Sequence, residues 1–153
     1  MSEIQRLINR ILLPIDGSES ALKAAELAIV IAKGVIAEIL AIHVVPESSL
    51  ILPLGPEVPY IPPAEFWEKA EEEAMEILKP VKEMCEKSKV KVETRVVRSK
   101  TSIVDTICRV AEEEKCNLIV MGTRGVTGVK RFLLGSVASG VITYAPCPVM
   151  VVR

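Results

Sequence analysis

The chain has 153 residues, of which 50% are apolar and 25% charged, with a formal net charge of −1 at pH 7. These values predict one soluble globular domain over residues 1–153, and they exclude a charge field that would attract nucleic acid or an acidic membrane. No apolar stretch reaches the roughly 20 residues needed to span a bilayer, and neither an export signal nor a C-x-x-C spacing is present. We therefore expect a cytoplasmic protein with no membrane segment and no metal-binding residues.

The first strand and helix are marked by a change of apolar period near Asp16. Residues 10–15 form an apolar run that predicts a strand ending at Asp16. Ser18 is a suitable N-cap, and apolar residues at helical spacing predict a helix to about residue 33. Gly34 is the expected end of that helix.

A proline-rich segment separates the second strand from the second helix. Residues 36–45 are almost continuously apolar, as expected for a strand covered on both faces. The prolines between residues 46 and 63 exclude a helix or a central strand. We expect a long loop there, serving either as a lid over a ligand or as a docking surface for a partner. Residues 64–88 predict a long amphipathic helix, with Phe66 among its inward residues.

The remaining elements continue the alternation of strands and helices. Residues 89–98 alternate apolar and polar, which predicts a strand at a sheet edge. A helix over residues 102–115, a strand over 117–121, a helix over 136–144 and a last strand over 149–152 follow.

This order predicts an α/β fold with an open parallel five-stranded sheet and helices on both faces. In such sheets a ligand binds beyond the carboxyl ends of the strands, where the strand order reverses. The ends of the first, second and fourth strands supply Asp16, Val44 and Gly122. We therefore expect the ligand site to include these residues.

A glycine-rich segment after the fourth strand predicts a phosphate site. Gly122, Gly125 and Gly135 allow a ligand to approach the main chain closely, and Ser136 opens a helix whose free N–H groups favour an anion. Neither the Walker signature G-x-x-x-x-G-K-[ST] nor the dinucleotide fingerprint G-x-G-x-x-G occurs here. The ligand expected from these residues is a nucleotide or another phosphorylated small molecule.

At these residues the chain resembles the universal stress protein family, specifically its nucleotide-binding members, whose signature is G-x2-G-x9-G-[ST]. The sequence fits that signature without a gap. The resemblance extends over nearly the whole chain and includes the segments ILLPIDGSESALKAAELA, AIHVVPE, LIVMGTRG and CPVMVVR. It implies a Rossmann-like fold similar to that of the adenine nucleotide alpha hydrolases.

The resemblance also implies the roles of individual residues. The carboxylate of Asp16 would accept hydrogen bonds from ribose hydroxyls, and the backbone of Val44 would recognise the adenine edge. The glycines would let the main chain pass close to the ribose and phosphates, and the start of the last helix would bind phosphate. The residues implied are Pro14, Ile15, Asp16, Val44, Met121, Gly122, Arg124, Gly125, Gly135, Ser136, Val137 and Ala138.

The function implied is that of an ATP-binding regulatory protein acting as a nucleotide-gated switch or scaffold. The alternative is a slow ATPase that needs Mg²⁺ held through the phosphates and acts with or without a partner protein. AMP or a cyclic adenine nucleotide is an alternative ligand. The resemblance further implies a homodimer formed by antiparallel pairing of the terminal strand, Val149 to Val152, with its twin. No catalytic residue is assigned, because hydrolysis needs a group to orient water and the one candidate, Asp16, would be occupied by the ribose.

Overall fold

Strands and helices alternate along the parts of the chain that the computed structural model describes, which are residues 7–47, 63–124 and 134–153. The strands are β1 (Arg10–Pro14), β2 (Glu38–Pro46), β3 (Val92–Ser99), β4 (Leu118–Gly122) and β5 (Val149–Val152). The helices are α1 (Glu19–Val35), α2 (Ala64–Lys87), α3 (Ile103–Glu113) and α4 (Ser136–Tyr144). No helix in these ranges is both long and apolar enough to cross a membrane.

The five strands form one parallel sheet in the order β3-β2-β1-β4-β5. The predicted α/β fold is therefore confirmed, and β3 lies at an edge as expected. β1 pairs with β2 on one side and with β4 on the other, so the strand order reverses between β1 and β4. This reversal places the expected ligand crevice at the carboxyl ends of these two strands.

The core consists of two apolar layers, one on each face of the sheet. Ile11 and Leu13 of β1 belong to the layer covered by α1 and α2, whereas Leu12 belongs to the layer covered by α3 and α4. Each of these side chains is completely buried. The alternation follows from the two-residue period of a strand, and burial on both faces explains the continuous apolar run in the sequence.

The end of α1 differs from the prediction. The helix continues through Gly34, and the chain turns at Ile36, which has a φ of 60°. The N–H of Ala37 then donates to the carbonyl of Ala32 at 2.9 Å, which satisfies an orphan carbonyl of the last turn. The predicted stop at Gly34 is wrong because the left-handed turn falls two residues later, at the exposed Ile36, and is closed by this local hydrogen bond without a glycine.

The start of α2 also differs from the prediction. Phe66 was expected to face inward, but it is 43% exposed. The buried residues of α2 begin later, at Ala74, and continue through Leu78 to Cys85. The first turns of this 24-residue helix contribute no buried residue. They are instead close to the end of β3, where the Arg98 guanidinium lies 4.4 Å from the ring centroid of Trp67.

Candidate functional site

A cavity of about 230 Å³ opens at the carboxyl ends of the central strands. Its walls come from the ends of β1, β2 and β4, from the start of α1, and from α3 and α4. It therefore lies where the strand order reverses. This is the position at which open parallel sheets bind ligands.

The cavity brings together every predicted site residue that the structure describes. These residues are Pro14, Ile15, Asp16, Val44, Met121, Gly122, Arg124, Gly135, Ser136, Val137 and Ala138. Gly125 lies outside the described residues. Residues that are more than 100 positions apart in the sequence, such as Pro14 and Gly122, thus line one cavity, because the parallel sheet aligns the ends of its strands.

The carboxylate of Asp16 is fixed at the turn between β1 and α1. Its Oδ1 atom accepts a hydrogen bond of 2.9 Å from the backbone N–H of Ser18. Ser18 is in turn the N-cap of α1, and its hydroxyl accepts the N–H of Ala21 at 3.2 Å. Asp16 makes no other hydrogen bond within the described residues. Its second oxygen therefore remains an acceptor for a ligand at the cavity wall.

Gly122 ends β4 directly against α1. A Cβ atom built on Gly122 would lie 2.4 Å from the hydroxyl oxygen of Ser20 and 2.8 Å from the backbone nitrogen of Ala21. Backbone atoms at such distances cannot rotate away, so only glycine fits here without movement of the helix. The glycine brings the main chain of β4 close to the start of α1 at the edge of the cavity.

Gly135 sets the position of the start of α4. Its N–H donates to the carbonyl of Thr123 at 2.7 Å, and a Cβ atom on Gly135 would lie 2.9 Å from that same oxygen. Gly135 is the N-cap of α4, and no side chain caps this end of the helix. The first N–H groups of α4 therefore lack intrahelical partners beside the cavity, with the positive end of the helix dipole. This arrangement favours an anionic ligand group.

Three polar residues of this region were not predicted as site residues. His43 lines the cavity, and its Nδ1 lies 2.7 Å from the carbonyl oxygen of Ile15, so Nδ1–H is the donor. Thr123 is buried, and its hydroxyl has no hydrogen-bond partner in the described part of the chain. Ser20 does not line the cavity but donates to the carbonyl of Arg124 at 2.8 Å.

The remaining walls are apolar, which gives the site a mixed character. Ile42, Ile103 and Ile107 come from β2 and α3. The ionisable side chains among the described lining residues are those of Asp16, His43 and Arg124. No group of three His, Cys, Asp or Glu residues in the described ranges is placed to hold a metal ion. An apolar slot with a few convergent polar groups is the usual form of a small-molecule site.

Comparison with known protein families identifies relatives over almost the whole chain. A family model described as "Universal stress protein family" matches residues 8–153. The chain belongs to the universal stress protein family. It is 42% identical over 153 residues to a universal stress protein of Methanocaldococcus jannaschii, which covers 97% of this chain and 84% of that protein. The solved structure of a universal stress protein from Lactobacillus plantarum matches with a TM-score of 0.75 and 27% identity, over 95% of this chain and 97% of that one.

Some solved structures with this fold contain adenine nucleotides. A universal stress protein from Archaeoglobus fulgidus was solved in complex with dAMP, with a TM-score of 0.65, 22% identity, and coverage of 95% of this chain and 98% of that one. Others were solved with cAMP, at 22% identity and a TM-score of 0.66, and, from Arabidopsis thaliana, with AMP, at 18% identity and a TM-score of 0.61. At these identities, the three comparisons show that this chain shares the fold of those proteins.

Proposed function

We propose that the cavity binds an adenine nucleotide, with ATP as the expected ligand, and that the protein acts as a nucleotide-binding regulator. One observation carries this proposal. The Asp16 carboxylate, the closely packed main chain at Gly122 and the uncapped start of α4 converge on one cavity. These three features supply an acceptor for hydroxyl groups, close access to the backbone and an anion-binding helix end.

The shape of the cavity suggests how a nucleotide would be placed. Its volume of about 230 Å³ is smaller than the roughly 300–1,000 Å³ of a site for a drug-sized ligand. We therefore place the base and ribose inside, with the base against the apolar wall at Ile42 and Val44. The phosphates would lie towards the uncapped start of α4, and Mg²⁺ would be held through the phosphates.

Family membership supports the same class of ligand. Proteins with this fold were solved with dAMP, cAMP and AMP, so the fold accommodates adenine nucleotides with one phosphate. The ligand class we propose for this chain is therefore adenine nucleotides, and the number of phosphates is the point to be measured.

Slow ATP hydrolysis is the competing function. Arg124 supplies one cation in the cavity wall, but hydrolysis also needs a group that orients the attacking water. Asp16 already accepts the N–H of Ser18 and is assigned to the ribose, and Nδ1 of His43 is bonded to the carbonyl of Ile15. We therefore favour binding without turnover. A regulatory role then requires two conformations with different affinities for the nucleotide, because equal affinities shift no equilibrium.

The test is to identify and titrate the ligand. Nucleotide released by denaturing the purified protein is identified by mass spectrometry, and the nucleotide-free protein is titrated calorimetrically with ATP, ADP, AMP and cAMP, each with and without Mg²⁺. Recovery of ATP, or binding without phosphate release, supports the regulatory function. Steady release of phosphate favours the ATPase. The absence of both bound nucleotide and binding heat would overturn the proposal.

We also propose that β5 forms a homodimer by pairing with its twin. β5 is an edge strand whose one described neighbour in the sheet is β4, so its outer edge offers unpaired backbone groups. Met150 on this strand is 37% exposed. Pairing across a twofold axis would satisfy both edges and cover the Met150 side chain.

The state of the cysteines supports the reducing cytoplasm that we propose as the location. All four cysteines are free, and Cys85 and Cys116 are buried. Burial raises the pKa of the Cys85 thiol to about 11, and burial is also the main cause that raises the pKa of the Cys116 thiol to about 11. Both groups are therefore neutral thiols near pH 7, which suits cysteines that act as small apolar core residues.

A further inference from the structure

We propose that the hydroxyl of Ser20, together with that of Ser18, positions the phosphate-binding end of the site. This role rests on the proposed nucleotide binding and adds a residue that does not line the cavity. Ser20 is buried in the first turn of α1 and reaches the main chain that leaves β4. It acts through that main chain, so it is a positioning residue.

The contact is a pair of hydrogen bonds to one backbone carbonyl. The oxygen of Arg124 accepts from the hydroxyl of Ser20 at 2.8 Å and from the hydroxyl of Ser18 at 3.2 Å. A carbonyl oxygen has two lone pairs, so both bonds can form together. The peptide group of Arg124 is thereby attached to the first turn of α1, where Ser18 is also the N-cap.

The two residues that precede Arg124 are fixed as well. The absence of a side chain on Gly122 lets β4 approach Ser20 directly. The N–H of Thr123 donates to the carbonyl of Val152 at 2.9 Å, and the carbonyl of Thr123 accepts the N–H of Gly135 at 2.7 Å. Segment 122–124 is therefore held by α1, by β5 and by the start of α4.

This arrangement separates the two ends of the proposed ligand. The groups assigned to the base and ribose, at Val44 and Asp16, lie on β2 and on the turn after β1. The groups assigned to phosphate lie at the start of α4, which is bonded to segment 122–124 through Gly135. Loss of the Ser20 hydroxyl should therefore loosen the phosphate end and leave the base end unchanged.

The experiment compares ATP with adenosine in the full-length chain carrying Ser20→Ala. ATP affinity is measured calorimetrically, and adenosine affinity is measured by its competition with ATP. Loss of one hydrogen bond to the Arg124 carbonyl should lower ATP affinity about three- to tenfold. Adenosine affinity should stay at the wild-type value. The same hydrogen bond also holds α1 to segment 122–124, so the melting temperature should fall by about 2–4 °C without loss of the fold.

Ser99→Ala is the matched control. Ser99 is also buried, and its hydroxyl lies 2.6 Å from that of Thr106, but it does not line the cavity or contact segment 122–124 in the described residues. This variant should keep the wild-type ratio of ATP to adenosine affinity even if its melting temperature falls. If a general loss of stability caused the weaker ATP binding, the ratio of ATP to adenosine affinity would change in both Ser20→Ala and Ser99→Ala.

Several outcomes would overturn the positioning role. Unchanged ATP affinity in Ser20→Ala, an equal loss for ATP and adenosine, or failure of this variant to fold would each do so. In these cases the wild-type chain still binds ATP, and the proposed function stands. If the wild-type chain binds neither ligand, the proposed function itself fails, and the role of Ser20 fails with it.

Discussion

Gly122 lies so close to Ser20 that a Cβ atom on the glycine would come within 2.4 Å of the serine hydroxyl oxygen. The same atom would lie 2.8 Å from the carbonyl carbon of Ser20. The close approach of β4 to α1 therefore depends on the missing side chain. A glycine that the sequence marks as part of a ligand loop is thus also required by packing.

We expect Gly122→Ala to destabilise the protein by about 1–3 kcal/mol, the usual cost of forcing an extra carbon into a packed contact. Since the clash includes backbone atoms of α1, the helix or the strand must move to accept the side chain. The free energy of unfolding in urea, measured without nucleotide, reports this cost.

Gly34→Ala is the matched control for that measurement. A Cβ atom on Gly34 would meet nothing within 4 Å, and this residue lies inside α1. Alanine is favoured over glycine in a helix, so this variant should be more stable than the wild type by up to about 1 kcal/mol. Equal unfolding energies for the two variants would contradict the packing role of Gly122.

Asp16→Asn should weaken ATP binding while leaving the fold intact. The amide oxygen of asparagine can still accept the N–H of Ser18, which Asp16 accepts at 2.9 Å. The negative charge is lost, and hydrogen bonds to charged groups contribute about 1.5–3 kcal/mol, so ATP affinity should fall roughly tenfold or more. Titration calorimetry measures this change.

Adenine is the control ligand for Asp16→Asn, because it lacks the ribose that this carboxylate is proposed to bind. The variant and the wild type should bind adenine with equal affinity. If Asp16→Asn lowered the affinity for adenine and for ATP equally, Asp16 would not bind the ribose. If the affinity for ATP were unchanged, Asp16 would not belong to the binding site.

The sequence predicted most of the fold because its signals were local and consistent. The apolar runs of β1, β2 and β4 and the serine cap of α1 lie where they were expected. The ends of the helices were predicted less well, because the chain turns there at exposed residues whose type gives no signal for a turn. Ile36, Lys89 and Lys115 have positive φ values at positions where glycine or asparagine would be the usual signal.

The site residues that belong to a sequence motif were predicted. The residues whose contacts depend on how strands and helices pack beside one another were missed. The glycines and the start of α4 carry a recognisable spacing. The contact of Ser20 with the Arg124 carbonyl joins residues 104 positions apart, and that of His43 with Ile15 depends on how β1 lies beside β2. A single sequence has no pattern for such contacts, because they arise only when the elements pack.

Stability should fall in acid through a charge cluster near the amino ends of β1, β2 and β3, at the end of the sheet opposite the cavity. Arg95, and then Arg10, lower the pKa of Glu93 and of Glu114 through hydrogen bonds and charge. Lys91, and then Arg10, lower the pKa of Glu38. A carboxyl group with a lowered folded-state pKa stabilises the protein above its ordinary value of 4.5, and this contribution is lost as the pH falls through the folded-state value.

Arg95→Gln tests the cluster, because Arg95 bonds Glu114 at 2.6 Å and Glu93 at 2.5 Å. Urea unfolding from about pH 6 to about pH 3 should show a smaller loss of stability in this variant than in the wild type. The groups are partly exposed, so solvent screening keeps the difference small. Arg109→Gln removes an equal charge from an exposed pair with Glu113 and serves as the control. Parallel pH profiles for Arg95→Gln and the wild type would contradict the prediction.

Met150→Lys should convert the proposed dimer to a monomer. Met150 is 37% exposed on the edge strand β5. A lysine there would place two positive charges, one from each protomer, close together in the proposed dimer, and their repulsion would oppose pairing. Val151 is a poorer probe because it packs against the core. Met75→Lys makes the same change on α2, where Met75 is 44% exposed and α2 packs on the β2 and β3 side of the sheet. Sedimentation velocity at micromolar concentration should show a dimer for the wild type and for Met75→Lys, and a monomer for Met150→Lys. A monomeric wild type or a dimeric Met150→Lys would rule out pairing through β5.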